Sequence, residues 1–234
     1  MTAIARALGT DARGDSEVPA RRQFRLTPIE QERYERALSV IDAINSGDPT
    51  WIWVRGAERP KELAHGELAT AWLEIVRPNA SLELRLAARA HHLRRWLVPR
   101  DSYPEGRAGY LRWRQHARQY HAEQVGIVLA GERYPEDTIL RVQALVRKRG
   151  LGDDAETQAL EDAMCLVFVE TQLEEMAQRT PPDKMLTIAR RMILKMSDLA
   201  RKLAASLPLP STSRSLLARI IAELREERAS EERG

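Results

Sequence analysis

The sequence predicts an all-α protein, and three observations carry that prediction. Apolar residues recur at helical spacing along most of the chain, whereas no alternating apolar–polar stretch of useful length is present. Aromatic residues make up 5% of the 234, and Gly and Pro number 12 each, which argues against a β-sandwich or barrel. A 43% hydrophobic content beside 30% charged residues suits a soluble globular domain large enough for a real core.

The elements follow in order. Residues 1–26 are rich in Gly, Asp, Arg and Ser without apolar periodicity, and are expected to form a flexible arm rather than a signal peptide. Thr27-Pro28 supplies a capping hydroxyl and a first-turn proline, so a helix is expected to start there and stop at Gly47. The stretch "SGDPTWIWVRGAERP" is read as a loop with Trp51, Ile52 and Trp53 tucked against the body. Further helices are predicted over 60–76, 81–97, 108–131, 135–149, 154–179, 182–196 and 211–229, with a loop at 101–109 rich in turn residues. The last stretch, "AELREERASEERG", is charged and of low complexity, as in a helix that frays. The predicted organisation is an arm (1–26), a helical domain (27–209) and a charged C-terminal helix or tail (210–234).

Composition also excludes some functions. No apolar run approaches the ~18 residues of a membrane span. The single cysteine, Cys165, rules out an intramolecular disulfide framework and fits the reducing cytoplasm. Net charge is only +3, yet Arg85, Arg89, Arg94, Arg95, Arg100, Arg107, Arg112, Arg114 and Arg118 face only Asp101 and Glu105 within residues 85–118. That local excess favours an anionic ligand over a uniformly charged surface.

Several polar side chains fall on apolar helical faces. His65 shares a face with Ala69, Trp72 and Val76, His91 lies over Leu84, Ala87 and Ala88, and His92 over Ala88 and Trp96. His121 falls between Ala117 and Val125, and Asp162 heads a face with Leu166, Val169 and Leu173. His116 falls on a polar face and is expected at the surface, and Glu161 is expected to point outward. A carboxylate on a core face needs a partner, because burial alone would raise its pKa. A metal cation or an arginine would satisfy Asp162, and neutral imidazoles from other helices could ligate the same ion. The other reading of each histidine is an ordinary hydrogen-bonded core residue.

The order His65, His91-His92, His121, Asp162 resembles the HD-domain superfamily of metal-dependent phosphohydrolases. "ELAHGELATAWL" resembles that pattern's first-histidine helix, "AARAHHLRRW" its His-Asp helix, "HAEQVGIVLAG" its auxiliary-histidine segment and "LEDAMCLVF" the segment ending in its last aspartate. The chain departs from the pattern where His92 stands for the paired aspartate. "ALVRKRG" also offers Arg147, Lys148 and Arg149 where some members carry another histidine. A closer resemblance, through "PKELAHGELATAWL", "AARAHHLRRW", "PRDSYPEGRAGYLRWR", "RVQALVRKRG" and "ETQALEDAMCLVFVE", is to the domain of unknown function 4202 family over residues 30–210. "ILKMSD" echoes a class I synthetase signature at Lys195, Met196 and Ser197, but neither its companion histidine motif nor a nucleotide fold accompanies it.

These resemblances imply an HD-like helical bundle. They also imply a phosphohydrolase acting on a nucleotide or other phosphorylated small molecule. A divalent ion (Mn, Fe, Co, Ni or Zn) would be held by His65, His91, His92, His121 and Asp162, with His92 and Asp162 as catalytic residues. Arg94, Arg95, Arg107, Arg114 and Lys148 would bind the phosphate, guanidinium forks matching its oxygens, while Tyr103, Tyr110 or Trp113 could stack on a base. The alternative is an HD-like module without the chemistry that binds an anionic metabolite, nucleotide or RNA. A purely structural helical protein is the third reading.

Overall fold

The computed structural model describes residues 26–231, and among these the protein folds as ten α-helices and one β-hairpin. Helix α1 (Pro28–Asn45) opens as the sequence predicts. The Thr27 hydroxyl accepts from the Glu30 backbone N–H, and the Glu30 carboxylate accepts in return from the Thr27 N–H. The expected N-terminal arm lies, apart from Leu26, outside the described residues.

The stretch read as a loop contains the hairpin β1 (Trp51–Val54) and β2 (Ala57–Pro60), paired antiparallel with Val54 opposite Ala57. Arg55 and Gly56, both with positive φ, close it as a two-residue turn whose twist matches the strands. Its inward face carries Ile52 and Val54. Trp51 and Trp53 point outward, and Trp53 is 73% exposed, so neither is tucked against the body. Period-two geometry forces this split, since neighbouring strand residues face opposite sides. The hairpin tip is fastened by Arg55, which forks onto Glu170; the same carboxylate accepts from Trp72 Nε1.

The remaining helices are α2 (Lys61–Val76), α3 (Leu82–Ala90), α4 (Gly106–Gly131), α5 (Glu136–Val146) and α6 (Ala155–Thr171), followed by α7 (Leu173–Arg179), α8 (Pro182–Ile193), α9 (Asp198–Ser206) and α10 (Ser211–Glu231). Helix α6 is the central element. It packs on α2 and α3 on one side and on α7 and α9 on the other, and every residue from Ala159 to Val167 is buried. A helix buried on all sides needs apolar residues around its whole circumference, which "ALEDAMCLV" supplies except at Glu161 and Asp162. At the α2–α3 crossing, a Cβ at Gly66 would stand 2.7 Å from the Arg89 carbonyl oxygen, so glycine sets the approach of these two helices.

Four expectations are corrected. The helix expected over 81–97 ends at Ala90; a turn follows, with Arg94 in the left-handed region (φ 57°), and then short 3₁₀ turns at Arg95–Leu97 and Arg100–Ser102. The helix expected over 154–179 breaks at Gln172. A helix not anticipated, α9, is capped by the Ser197 hydroxyl, which accepts from the Ala200 N–H. The C-terminal helix does not simply project: Leu217, Ile220, Ile221 and Leu224 are buried, and α10 packs on α7, α8 and α9. No helix among the described residues is long and apolar enough to cross a membrane.

Candidate metal centre

The first turn of α2 brings Glu62 and His65 to one face, three residues apart. This end of the helix is fixed from outside. Pro60 offers no side-chain cap, and the buried Asp48 carboxylate instead accepts from the Glu62 N–H at 3.0 Å. On the other side, the early end of α3 matters more than the helix itself. Two consecutive residues on a continuous helix project about 100° apart; the turn after Ala90 lets both His91 and His92 approach Glu62.

Ligand atoms of Glu62, His91 and His92 lie within 4.8 Å of one another, and such a set could hold a metal ion. His92 Nδ1 is 3.3 Å and His65 Nδ1 3.5 Å from Glu62 Oε2, while Arg95 Nε is 3.7 Å from Oε1. The His121 ring, from α4, stands with its centroid 5.5 Å from that of His92.

Hydrogen-bond accounting fixes the tautomers. His91 Nδ1 is 2.8 Å from the Ala88 carbonyl and His121 Nδ1 is 3.0 Å from the Leu93 carbonyl. A carbonyl only accepts, so each Nδ1 carries the hydrogen and each Nε2 is a bare lone pair. Both Nε2 atoms are buried and without a partner, as are His92 Nδ1 and Glu62 Oε2. The Thr171 hydroxyl donates to Val167 O, so it accepts from His65 Nε2–H, and this contact turns His65 Nδ1 towards Glu62 Oε2. Buried acceptors left without donors call for a missing hydrogen or a cation.

Electrostatics points the same way. Burial pushes His91 and His92 well below the ordinary imidazole pKa, with neighbouring His92 adding to the effect on His91 and Arg95 to that on His92; burial brings His121 to about 4. These three rings are therefore neutral near pH 7, the form that ligates metal. Burial opposes the charge on Glu62, but His65, Arg95 and His91 together outweigh it and hold the carboxyl below its usual value.

The other sequence-predicted residues scatter. Asp162 is buried as expected, but it is not among the converging ligands: Oδ1 accepts from Ser197 N–H at 2.8 Å and Gln158 Nε2 at 3.0 Å, anchoring the turn before α9. Neither a metal nor an arginine is needed to satisfy that oxygen. Glu161, expected to point outward, is buried against Lys148 and Lys195. Arg95 rests 5.2 Å over the Trp113 ring, whose Nε1 donates to Val98 O. The Arg94 backbone N–H reaches Asn45 Oδ1 at 3.4 Å, while its Nε is buried without a partner. Arg114 is half-buried, and Arg107 and Tyr110 are exposed. Tyr103 hydrogen-bonds His116 Nδ1 at the surface. Sequence reasoning missed Glu62 and Lys195.

A family model described as "Domain of unknown function (DUF4202)" matches residues 35–217. No curated protein and no solved structure matches the chain.

Proposed function

Because the chain belongs to the DUF4202 family, whose description assigns no reaction, we propose from its site that it is a metal-dependent phosphohydrolase acting on a nucleotide or another phosphorylated small molecule. One observation carries the reading. Four buried polar atoms, on Glu62, His91, His92 and His121, have no hydrogen-bond partner, and the two on His91 and His121 are imidazole lone pairs whose partner nitrogen is tied to a backbone carbonyl. That tethering is how proteins orient metal-binding histidines.

Glu62, His91 and His92 are the holding set, with His121 and His65 flanking it. Glu62 restores the carboxylate that the resemblance to HD domains lacks at His92. A nitrogen-rich set with one carboxylate suits Mn, Fe, Co, Ni or Zn better than Mg or Ca. A divalent cation held there supplies charge that polarises a phosphoryl oxygen and makes a water more acidic. Arg95 presents a guanidinium beside Glu62 and is kept in place by the Trp113 face; it is the residue best placed to bind a phosphate oxygen. Cys165 takes no part, since burial pushes its thiol up to about 12. The lone buried thiol fits a cytoplasmic protein.

The test is elemental analysis of untagged protein, followed by a phosphatase panel on the loaded enzyme. Near-stoichiometric metal with phosphate release that Arg95→Ala impairs supports the reading, and a chain that takes up none of the five metals overturns it. A second reading, a binding module for an anionic metabolite, draws on the same surplus of arginine and lysine; it predicts anion binding without turnover. Binding to RNA would instead show affinity falling steeply with salt.

A further inference from the structure

A second buried glutamate organises a different group. Glu161, on α6, is 3% exposed, contacts Lys148 Nζ through Oε2 and has Lys195 Nζ 3.5 Å from Oε1. Both lysine side chains keep access to solvent, at 20% and 36%. Arg114 lies close enough to help hold the Glu161 carboxyl charged against the cost of burial, with Lys148 and Lys195 the stronger influences. Arg118 follows one turn later on α4. Neither arginine has a hydrogen bond or ion pair among the described residues, although both are half-buried. Their mutual repulsion adds to burial in lowering the pKa of Arg118. Two lysines thus contact one carboxylate, and two more cations lie near enough to feel its charge, an imbalance that an anion would relieve.

The group is held by the fold rather than by chance. Gln158 Nε2 donates to Lys195 O at 2.8 Å and Asp162 accepts from Ser197 N–H at 2.8 Å, so α6 fastens both sides of the turn that carries Lys195. Lys148 occupies the left-handed position (φ 57°) that closes α5, where glycine is the usual choice. Helix α4 joins this group to the proposed metal centre: it carries Arg114 and Arg118 together with Trp113, whose ring lies 5.2 Å under Arg95, and His121.

We propose that Lys148, Lys195, Arg114 and Arg118 form a second anion subsite around Glu161, so that the substrate carries two anionic groups, one at each place. A phosphoanhydride or a bisphosphate has that chemistry. The substrate claim rests on the phosphohydrolase reading; the subsite itself does not.

The experiment has two arms. In the first, metal-free protein is titrated calorimetrically with inorganic phosphate. Wild type binds it, while Lys195→Gln and Arg118→Gln each weaken binding about tenfold, the loss expected for one charge-assisted contact. Arg118→Gln has no ion pair to break, so its melting temperature stays level or rises; a purely structural role would give the reverse pattern. Absent binding, or binding indifferent to both variants, overturns the subsite. In the second arm, Mn-loaded enzyme is assayed with ADP and AMP. Lys195→Gln raises KM for ADP about tenfold and leaves AMP unchanged; equal effects on both overturn the two-anion substrate. Loss of all metal uptake and turnover with Lys195-dependent phosphate binding intact would mean that the hydrolase reading, and with it the substrate claim, has failed while the subsite stands.

Discussion

Glu62 and Glu161 are equally buried, at 3% exposure each, yet they sit in opposite electrostatic settings. Glu161 is saturated with cations: two lysines touch or approach its oxygens, and two arginines without an ion pair lie near enough to feel its charge. Glu62 has a single guanidinium at 3.7 Å and otherwise faces imidazole rings, of which His91 and His92 are held neutral by burial. One region holds too many positive charges and the other too few hydrogens. The first calls for an anion and the second for a cation, and helix α4 carries side chains of both. A burial-only view would treat the two acids alike; what separates them is the count of donors around each.

The sharpest way to break this contrast is to remove one lone pair. His91→Ala should lower metal affinity by more than about 100-fold, a larger loss than that from an outer-shell change. Metal at 100 times the wild-type Kd should stabilise wild type by about 2.7 kcal/mol and the variant by no more than about 0.4 kcal/mol, which thermal melts with and without chelator would show.

Acid should act on the Glu62 region and spare the other. Unfolded, His91, His92 and His121 take up protons near pH 6.5; folded, His121 resists until about 4 and the other two are held well below 6.5. The unfolded state binds more protons in that window, so stability falls as pH drops from 6.5 towards 4. His121 alone accounts for about 3 kcal/mol across it. Urea melts at pH 7, 5.5 and 4.5 would trace the loss, and a flat profile would count against neutral buried rings.

Asp162 sharpens the contrast from a third side, as a buried acid that is simply satisfied. Asp162→Ala should cost about 1–3 kcal/mol by stranding the Ser197 N–H and one of the two Gln158 amide hydrogens. Metal content should stay at the wild-type level. Loss of metal in a folded Asp162→Ala would place this carboxylate back among the ligands. The smallest effect is expected at Arg94, whose left-handed backbone and unpartnered Nε both cost stability. Arg94→Gly should raise it by about 0.5–1 kcal/mol, the relief of left-handed strain less the added chain entropy.

The helices were legible because burial imposes a 3.6-residue period on the sequence. The buried faces of His65, His91, His121 and Asp162 followed from that period, and the start of α1 from the residue types Thr27 and Pro28. What was hidden depended on tertiary geometry. "AARAHHLRRW" has a helical composition, and only the packed structure shows that it leaves the helix at Ala90 and turns both histidines inward. Glu62 was within reach, since it precedes His65 by three residues on the same face, but an acid in a first helical turn ordinarily favours the dipole and faces water. Lys195 gave no periodic signal, because it sits in a turn held by α6 from 34 or more residues away in sequence.

The most direct test of the central claim is a cobalt(II) titration of wild type and Glu62→Gln, read by visible absorption and confirmed by elemental analysis. The account predicts one ion bound per wild-type chain, with ligand-field bands that Glu62→Gln abolishes while the protein stays folded. A wild-type chain that binds no cobalt, or a Glu62→Gln variant that binds it with the same spectrum and affinity, would contradict a metal centre at Glu62, His91 and His92.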